Sequence, residues 1–261
     1  MSLSIQYQIQ RANSPIWAFA IHDGHEIDDL LQPYLQLDDS GRLREEDPYT
    51  AQIAKLPVNL LVVSTSRFQL DLNRKEADAL YLTPDQAWGL DVWKKQLPTQ
   101  YIQDIYQAHR DTYQVIDHLI EATIQQFGTF LILDIHSYNA KRAAADELVD
   151  ELRNPQINLG TYYNDPKWRK LTQAFVDSIE DHTFQSNPID IRENIKFKGG
   201  YLSQHLNKKY GEKGAILSVE FRKDFMDEWT GTPNYQAITE YNTLLKHTLP
   251  ILQAELTHDA R

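Results

Sequence analysis

Four groups of side chains suited to chemistry recur along the chain, each at or just beyond the end of an apolar run. His22, Asp23, His25 and Glu26 follow Pro15 to Ile21, and Arg67, Asp71, Asn73 and Arg74 follow Leu60 to Ser64. Asp134, His136 and Ser137 end a run that starts at Phe130, and Glu220 with Arg222 ends the run from Ala215 to Phe221. Two neutral imidazoles and a carboxylate are the usual protein ligands of a catalytic zinc, leaving a fourth position open. Such an ion lowers the pKa of water to about 7 and polarises a carbonyl, while a nearby carboxylate takes the proton. Arginines beside it can face an oxyanion or grip a substrate carboxylate in a bidentate contact. Asp134, two residues before His136, shares its strand face and could orient a ligand.

Each group also has an ordinary explanation. His22 and His25 could be a surface pair, Asp71 to Arg74 a turn with a salt bridge, and His136 a core histidine satisfied by a backbone carbonyl. Glu220 is hardest to explain that way, because an unpaired carboxylate in an apolar strand is costly and usually means an ion pair, a metal or catalysis. The joint occurrence favours a site, since ligands of α/β sheets sit at the carboxyl ends of strands.

The elements that must carry these residues are strands alternating with helices. Apolar runs predict strands at Pro15–Ile21, Leu60–Ser64, Phe130–Ile135 and Ala215–Phe221. Helical spacing of Ile102, Ile105, Tyr106, Tyr113, Ile116, Leu119 and Ile120 predicts a long helix over Thr99–Phe127, closed by Gly128. Further helices are expected over Pro166–Ile179, from the Gly199-Gly200 turn to near Gly211, and over Asn234–Leu252. Asp28–Asp47 reads as a loop with a short helix. Asn139–Asn158 reads as charged and partly helical, with Leu159-Gly160-Thr161 leading into a turn. This alternation predicts an α/β fold with a mixed or mostly parallel sheet covered on both faces, in one domain over residues 1–261.

Composition narrows the function. With 261 residues, 41% hydrophobic and 24% charged, the chain has the make-up of a soluble globular protein with a sizeable core. The formal charge of −11 disfavours nucleic acid and anionic membranes as partners. The absence of cysteine excludes thiol catalysis, cysteine-ligated zinc and disulfides, and fits a cytoplasmic protein. No apolar run is long enough to span a bilayer, and the first eleven residues lack the apolar core of a signal peptide. No motif specifies an oligomeric state.

The order of motifs carries a family resemblance. Ile21-His22-Asp23-Gly24, Ser66-Arg67, Asp71-Leu72-Asn73-Arg74, Asp134-Ile135-His136-Ser137, Asn158-Leu159-Gly160-Thr161, Phe197-Lys198-Gly199-Gly200-Tyr201 and Val219-Glu220-Phe221 with Met226-Asp227-Glu228 together resemble the N-formylglutamate amidohydrolase family, from about residue 15 to 228. That family is related to zinc carboxypeptidases. The resemblance implies a three-layer α/β/α sandwich of carboxypeptidase type, one Zn2+ ion, and hydrolysis of the amide of a small acidic substrate. His22 and His136 match the zinc histidines, and Glu220 matches the general base. Arg67, Arg74 and Asn73 match positions that face the oxyanion and bind a substrate carboxylate, and Tyr201, closing the glycine motif, joins the substrate-binding set. For the third ligand, Glu46 in Arg44-Glu45-Glu46-Asp47-Pro48 is favoured, with Asp47 and His25 as rivals. Two other functions stay in view: a catalytically silent binding protein on the same fold, and a metal-free glycoside hydrolase pairing Glu220 with Asp134 or Glu46. The second leaves the histidines without a purpose.

Overall fold

The computed structural model describes residues 3–259 of the chain. Its centre is a seven-stranded sheet. In chain order the strands and helices are β1 (Tyr7–Gln10), β2 (Ile16–Ala20), α1 (Asp39–Glu45), α2 (Thr50–Ile53), β3 (Asn59–Val63), α3 (Thr99–Phe127), β4 (Phe130–Tyr138), β5 (Ile157–Gly160) and α4 (Arg169–Glu180). A small hairpin, β6 (Thr183–Phe184) and β7 (Asn187–Pro188), follows, then β8 (Ile191–Glu193), α5 (Tyr201–Tyr210), β9 (Gly214–Arg222) and α6 (Tyr235–Asp259). Across the sheet the order is β1-β3-β2-β4-β9-β5-β8. β3, β2, β4 and β9 run parallel, β1 is antiparallel on β3, and β5 is antiparallel on β9 with β8 parallel beyond it.

Burial on both faces explains why the central strands read as unbroken apolar runs. Ile16, Ala18, Leu131, Leu133, Leu217 and Val219 pack toward α2, α4 and α6, against Ile53, Phe175, Ile179, Tyr241 and Leu245. Trp17, Phe19, Phe130, Ile132 and Ile216 point the other way, toward α3 and α5, against Ile105, Ile116, Ile120, Leu202 and Leu206. The result is the three-layer α/β/α sandwich with a mixed, mostly parallel sheet. By strand alternation Asp134 and His136 on β4, and Ser218 and Glu220 on β9, continue the α3–α5 face where the apolar residues stop. Their register is fixed by the β4–β9 ladder, which sets Asp134 opposite Ser218 and His136 opposite Glu220.

The expected helix α3 forms over the expected span and ends at Gly128, whose φ of +78° is open to glycine at little cost. One local expectation fails, and one strand precedes the expected turn unannounced. The partial helix expected over Asn139–Asn158 does not form: residues 139–156 are a path of turns and bends, because their charges offer no apolar stripe to dock on the sheet. Ile157–Gly160 is a strand, β5, fully buried between β9 and β8; its four residues are too few to show a period. The charged run after Asp38 forms α1, capped by the Asp38 carboxylate, which accepts from Gly41 N at 2.8 Å.

Candidate active site

Three ligand-type side chains from distant segments meet at the carboxyl end of the sheet. His22 follows β2, His136 lies near the end of β4, and Asp47 lies just beyond α1; all three are buried, with ligating atoms within 4.8 Å of one another. Asp47 Oδ2 is 3.3 Å from His22 Nδ1 and 3.1 Å from His136 Nδ1. The opposite ring nitrogens meet other acids. His22 Nε2 lies 2.8 Å from Asp71 Oδ1, and His136 Nε2 lies 3.0 Å from Asp134 Oδ2, off the line of a hydrogen bond. A carboxylate behind an imidazole fixes its tautomer and strengthens the far nitrogen as a donor to a cation. His22 Nδ1 is buried without a hydrogen-bond partner, so it carries a lone pair or proton that only a further group can satisfy. The cluster therefore suits a metal ion.

Glu46 and Asp47 are neighbours that turn to opposite sides. Glu46 accepts from Ser66 Oγ and sits 2.5 Å from His25 Nδ1, which places the favoured third acid and one rival together, outside the His22–His136 cluster. Asp47 is the acid that faces both histidines. His25 is tied down further by Arg42, whose Nη1 donates to its carbonyl at 2.9 Å.

Glu220 lies beside His136 through the parallel ladder and is 8% exposed. Burial, opposed by His136 and reinforced by the charges of Asp47 and Asp134, pushes its carboxyl up to about 8. Burial also acts on Asp47, but the contact with His136, the close approach of His22 and the charges of both imidazoles overcome it and hold Asp47 well below the usual carboxylate range. For His136, burial is outweighed by Asp134 and Glu220, which raise the imidazole well above its ordinary value. Carboxyl groups driven in opposite directions within one cleft are a mark of acid–base assignment.

The cluster opens on a pocket of about 330 Å³ whose walls include Arg67, Asn73, Arg74, Trp88, Arg142, Lys196 and Glu220. Arg67 donates from Nη2 to Asp71 Oδ2 at 2.7 Å, and its guanidinium lies 4.8 Å from the centroid of the Trp88 ring. Asp71 thus serves His22 and Arg67 at once, and also accepts from Tyr81. Arg74 is freer, its Nε 3.9 Å from Asp71. Asn73 lines the pocket while its Oδ1 accepts from Leu202 N at the start of α5. Gly200 is needed here, because a Cβ at that position would come within 2.1 Å of Asn73 Oδ1. Tyr201 is not on the pocket wall. Its ring packs instead near Tyr113 (5.3 Å between centroids), His109 and His205, in the layer between α3 and α5.

A family model for N-formylglutamate amidohydrolase matches residues 14–226. The chain belongs to the N-formylglutamate amidohydrolase family. Among solved structures, an N-formylglutamate amidohydrolase from Ralstonia eutropha JMP134 is similar with a TM-score of 0.72 at 17% identity, covering 95% of this chain and 97% of that one. A gene product of Agrobacterium tumefaciens follows with a TM-score of 0.62 at 15% identity, over 94% of this chain and 95% of that one. A metallo-carboxypeptidase from Burkholderia cenocepacia is a looser likeness, with a TM-score of 0.40 at 14% identity over 94% of this chain and 60% of that one. No match is found among curated protein sequences.

In this member of the N-formylglutamate amidohydrolase family, several residues at the site have roles with no obvious signal in the sequence. Asp71 stands among the candidates in the sequence, but its place behind both His22 and Arg67 appears only in the structure. Lys223 is 3% exposed, and burial lowers its ammonium to about 8. Arg142 and Lys196 come from irregular segments; Arg142 Nη1 is 2.8 Å from both Glu45 carboxylate oxygens, and Lys196 Nζ lies 4.6 Å from the Tyr138 ring centroid. Trp88 has φ of +54°, uncommon for a bulky residue. That turn, continued by Gly89 at φ +87°, shapes one wall of the pocket.

Proposed function

We propose that the chain is a zinc-dependent amidohydrolase that cleaves the amide of a small N-acylated amino acid, an N-formyl one among the first to test. The observation that carries this reading is the convergence of His22 Nδ1 and His136 Nδ1 on Asp47, each imidazole backed by its own carboxylate, with Glu220 in register beside them. Two nitrogens and one carboxylate oxygen make a donor set typical of catalytic zinc. A zinc ion held by His22, Asp47 and His136 would supply Lewis acidity toward water and toward the amide carbonyl.

The chain's own residues do the rest. Glu220 accepts the proton of the attacking water and later passes it to the departing amine; a carboxyl raised toward neutrality can do both. Arg67, held in place by Asp71, faces the negative charge that develops on the carbonyl oxygen. Arg74, with Asn73 beside it, is placed to take a substrate carboxylate, since its guanidinium makes only a long contact with Asp71. Cationic Arg142 and Lys196 on the pocket wall favour the same acidic class of substrate.

Elemental analysis of chelator-free protein, followed by a hydrolysis screen over N-formyl and N-acetyl amino acids with acidic and neutral side chains, tests the proposal. One equivalent of zinc and faster turnover of the acidic members are expected. Absence of any divalent metal, or turnover that survives its removal, overturns it.

A further inference from the structure

Lys223 lies three residues past Glu220, and no hydrolytic step needs it. Its backbone N–H donates to Tyr138 O at 3.1 Å, fastening the end of β9 to the end of β4. Its Nζ donates to Arg44 O at 2.6 Å and to Glu46 O at 2.8 Å. Arg44 O also accepts from Asn139 Nδ2 at 2.8 Å, but among the described residues Glu46 O receives no other hydrogen bond.

The peptide group concerned is the one that leads into Asp47. Its carbonyl, that of Glu46, is held by Lys223 Nζ, and its N–H, that of Asp47, donates to His22 O at 3.0 Å. The chain has just left α1 with Glu46 in extended conformation (φ −76°, ψ 175°) and pairs with no strand there. A peptide plane outside regular structure can rotate unless both its polar groups are engaged, and its orientation sets the direction of the following side chain. Here one side is tied to the His22 segment and the other to the strand that carries Glu220.

We infer that Lys223 is a positioning residue: by gripping the Glu46–Asp47 peptide it aims the Asp47 carboxylate at His22 and His136 and so sets the affinity for the metal. The inference rests on the metal reading above. It makes Lys223 a link between the ligand loop and the Glu220 strand, since one side chain touches the first while its backbone extends the second.

The test compares the full-length protein with Lys223→Met, Lys223→Gln and Lys223→Arg. Zn2+ affinity is measured by competition with a chromophoric chelator, and the Co2+-substituted proteins are compared by visible absorption. Lys223→Met is expected to weaken zinc binding about 10–100-fold, as loss of a group supporting a ligand does, and to alter the Co2+ bands. Lys223→Arg, which can still donate to both carbonyls, is expected to restore most of the affinity. Should Lys223→Met fail to fold, Lys223→Gln, whose amide can reach one carbonyl, gives the same comparison with a smaller loss. Parent-like affinity and Co2+ spectra in Lys223→Met or Lys223→Gln, with the parent binding tightly, overturn this inference alone. A parent protein that binds neither ion overturns the metal reading and this inference with it.

Discussion

Replacing Glu220 with glutamine separates what this carboxyl does for chemistry from what it costs the fold. Glutamine keeps the size and one oxygen of the side chain but neither ionises nor accepts a proton. In metal-loaded protein the loss of a general base is expected to lower kcat by about 10²–10⁴-fold with little change in KM. In chelator-treated protein the same change is expected to stabilise the fold, by an amount that depends on pH. Burial holds the Glu220 carboxyl at about 8 against its ordinary 4.5. Below pH 4.5 both folded and unfolded chains carry the proton and nothing is lost. As pH rises from 4.5 to 8 the unfolded chain gives up its proton while the folded one keeps it, so stability falls through that window. At ~1.36 kcal/mol for each pH unit the loss approaches roughly 5 kcal/mol by pH 9. The unfolding free energy of Glu220→Gln minus that of the parent should therefore climb by several kcal/mol between pH 4 and pH 9. Urea denaturation of both chelated proteins across that range measures it. A difference that stays flat with pH refutes the desolvated carboxyl, and undiminished turnover refutes its role as the base.

Four further outcomes are expected. Asp71→Asn removes the negative charge behind His22 and leaves Arg67 without its ionic partner; zinc affinity should fall about 10–100-fold by chelator competition, with a clear drop in stability. Tyr201→Phe should leave KM and kcat near parent values, because its ring packs between α3 and α5; a large rise in KM in steady-state kinetics would return Tyr201 to the substrate. Gly200→Ala drives a Cβ into Asn73 and should raise KM and lower the melting temperature by several degrees, for a cost of about 1–3 kcal/mol. Zinc affinity should decline as pH is lowered, since Asp134 and Glu220 overcome burial to hold a proton on His136 above its ordinary range, and that proton must leave before the nitrogen can bind an ion. Calorimetry at pH 6 and pH 8 in two buffers of different ionisation enthalpy would show the released proton or its absence.

The strongest elements were readable because they had length and burial to announce them. β4 and β9 are nine-residue strands buried on both faces, and α3 carries its apolar residues at helical spacing for 29 residues. β1 alternates half-buried and exposed over four residues, and β8 spans three, so neither offers a period to detect. At the site, His22, His136, Arg67, Asn73, Arg74 and Glu220 announced themselves as polar residues interrupting or ending apolar runs, and all six line one pocket. Glu46 and Asp47 defeated the same logic. Strand alternation assigns faces to neighbours, but these two lie just past a helix end, where facing depends on a peptide plane set by Lys223 and His22, far away in sequence. Tyr201 was placed at the site by its motif, yet the glycines before it deliver the backbone to Asn73 and send the ring elsewhere.

The pairing of β4 with β9 has a consequence for how the protein comes to life. His136 and Glu220 become neighbours only through a ladder whose two strands are separated by α4, α5 and the segments between them. His22 and Asp47 reach the same point from the first fifth of the chain. Contacts so distant in sequence form slowly, because loop closure must be met before the ladder rewards it. Ion binding and turnover should therefore appear together in the last kinetic phase of refolding, after most helical signal has returned, and a chain truncated before β9 should show neither.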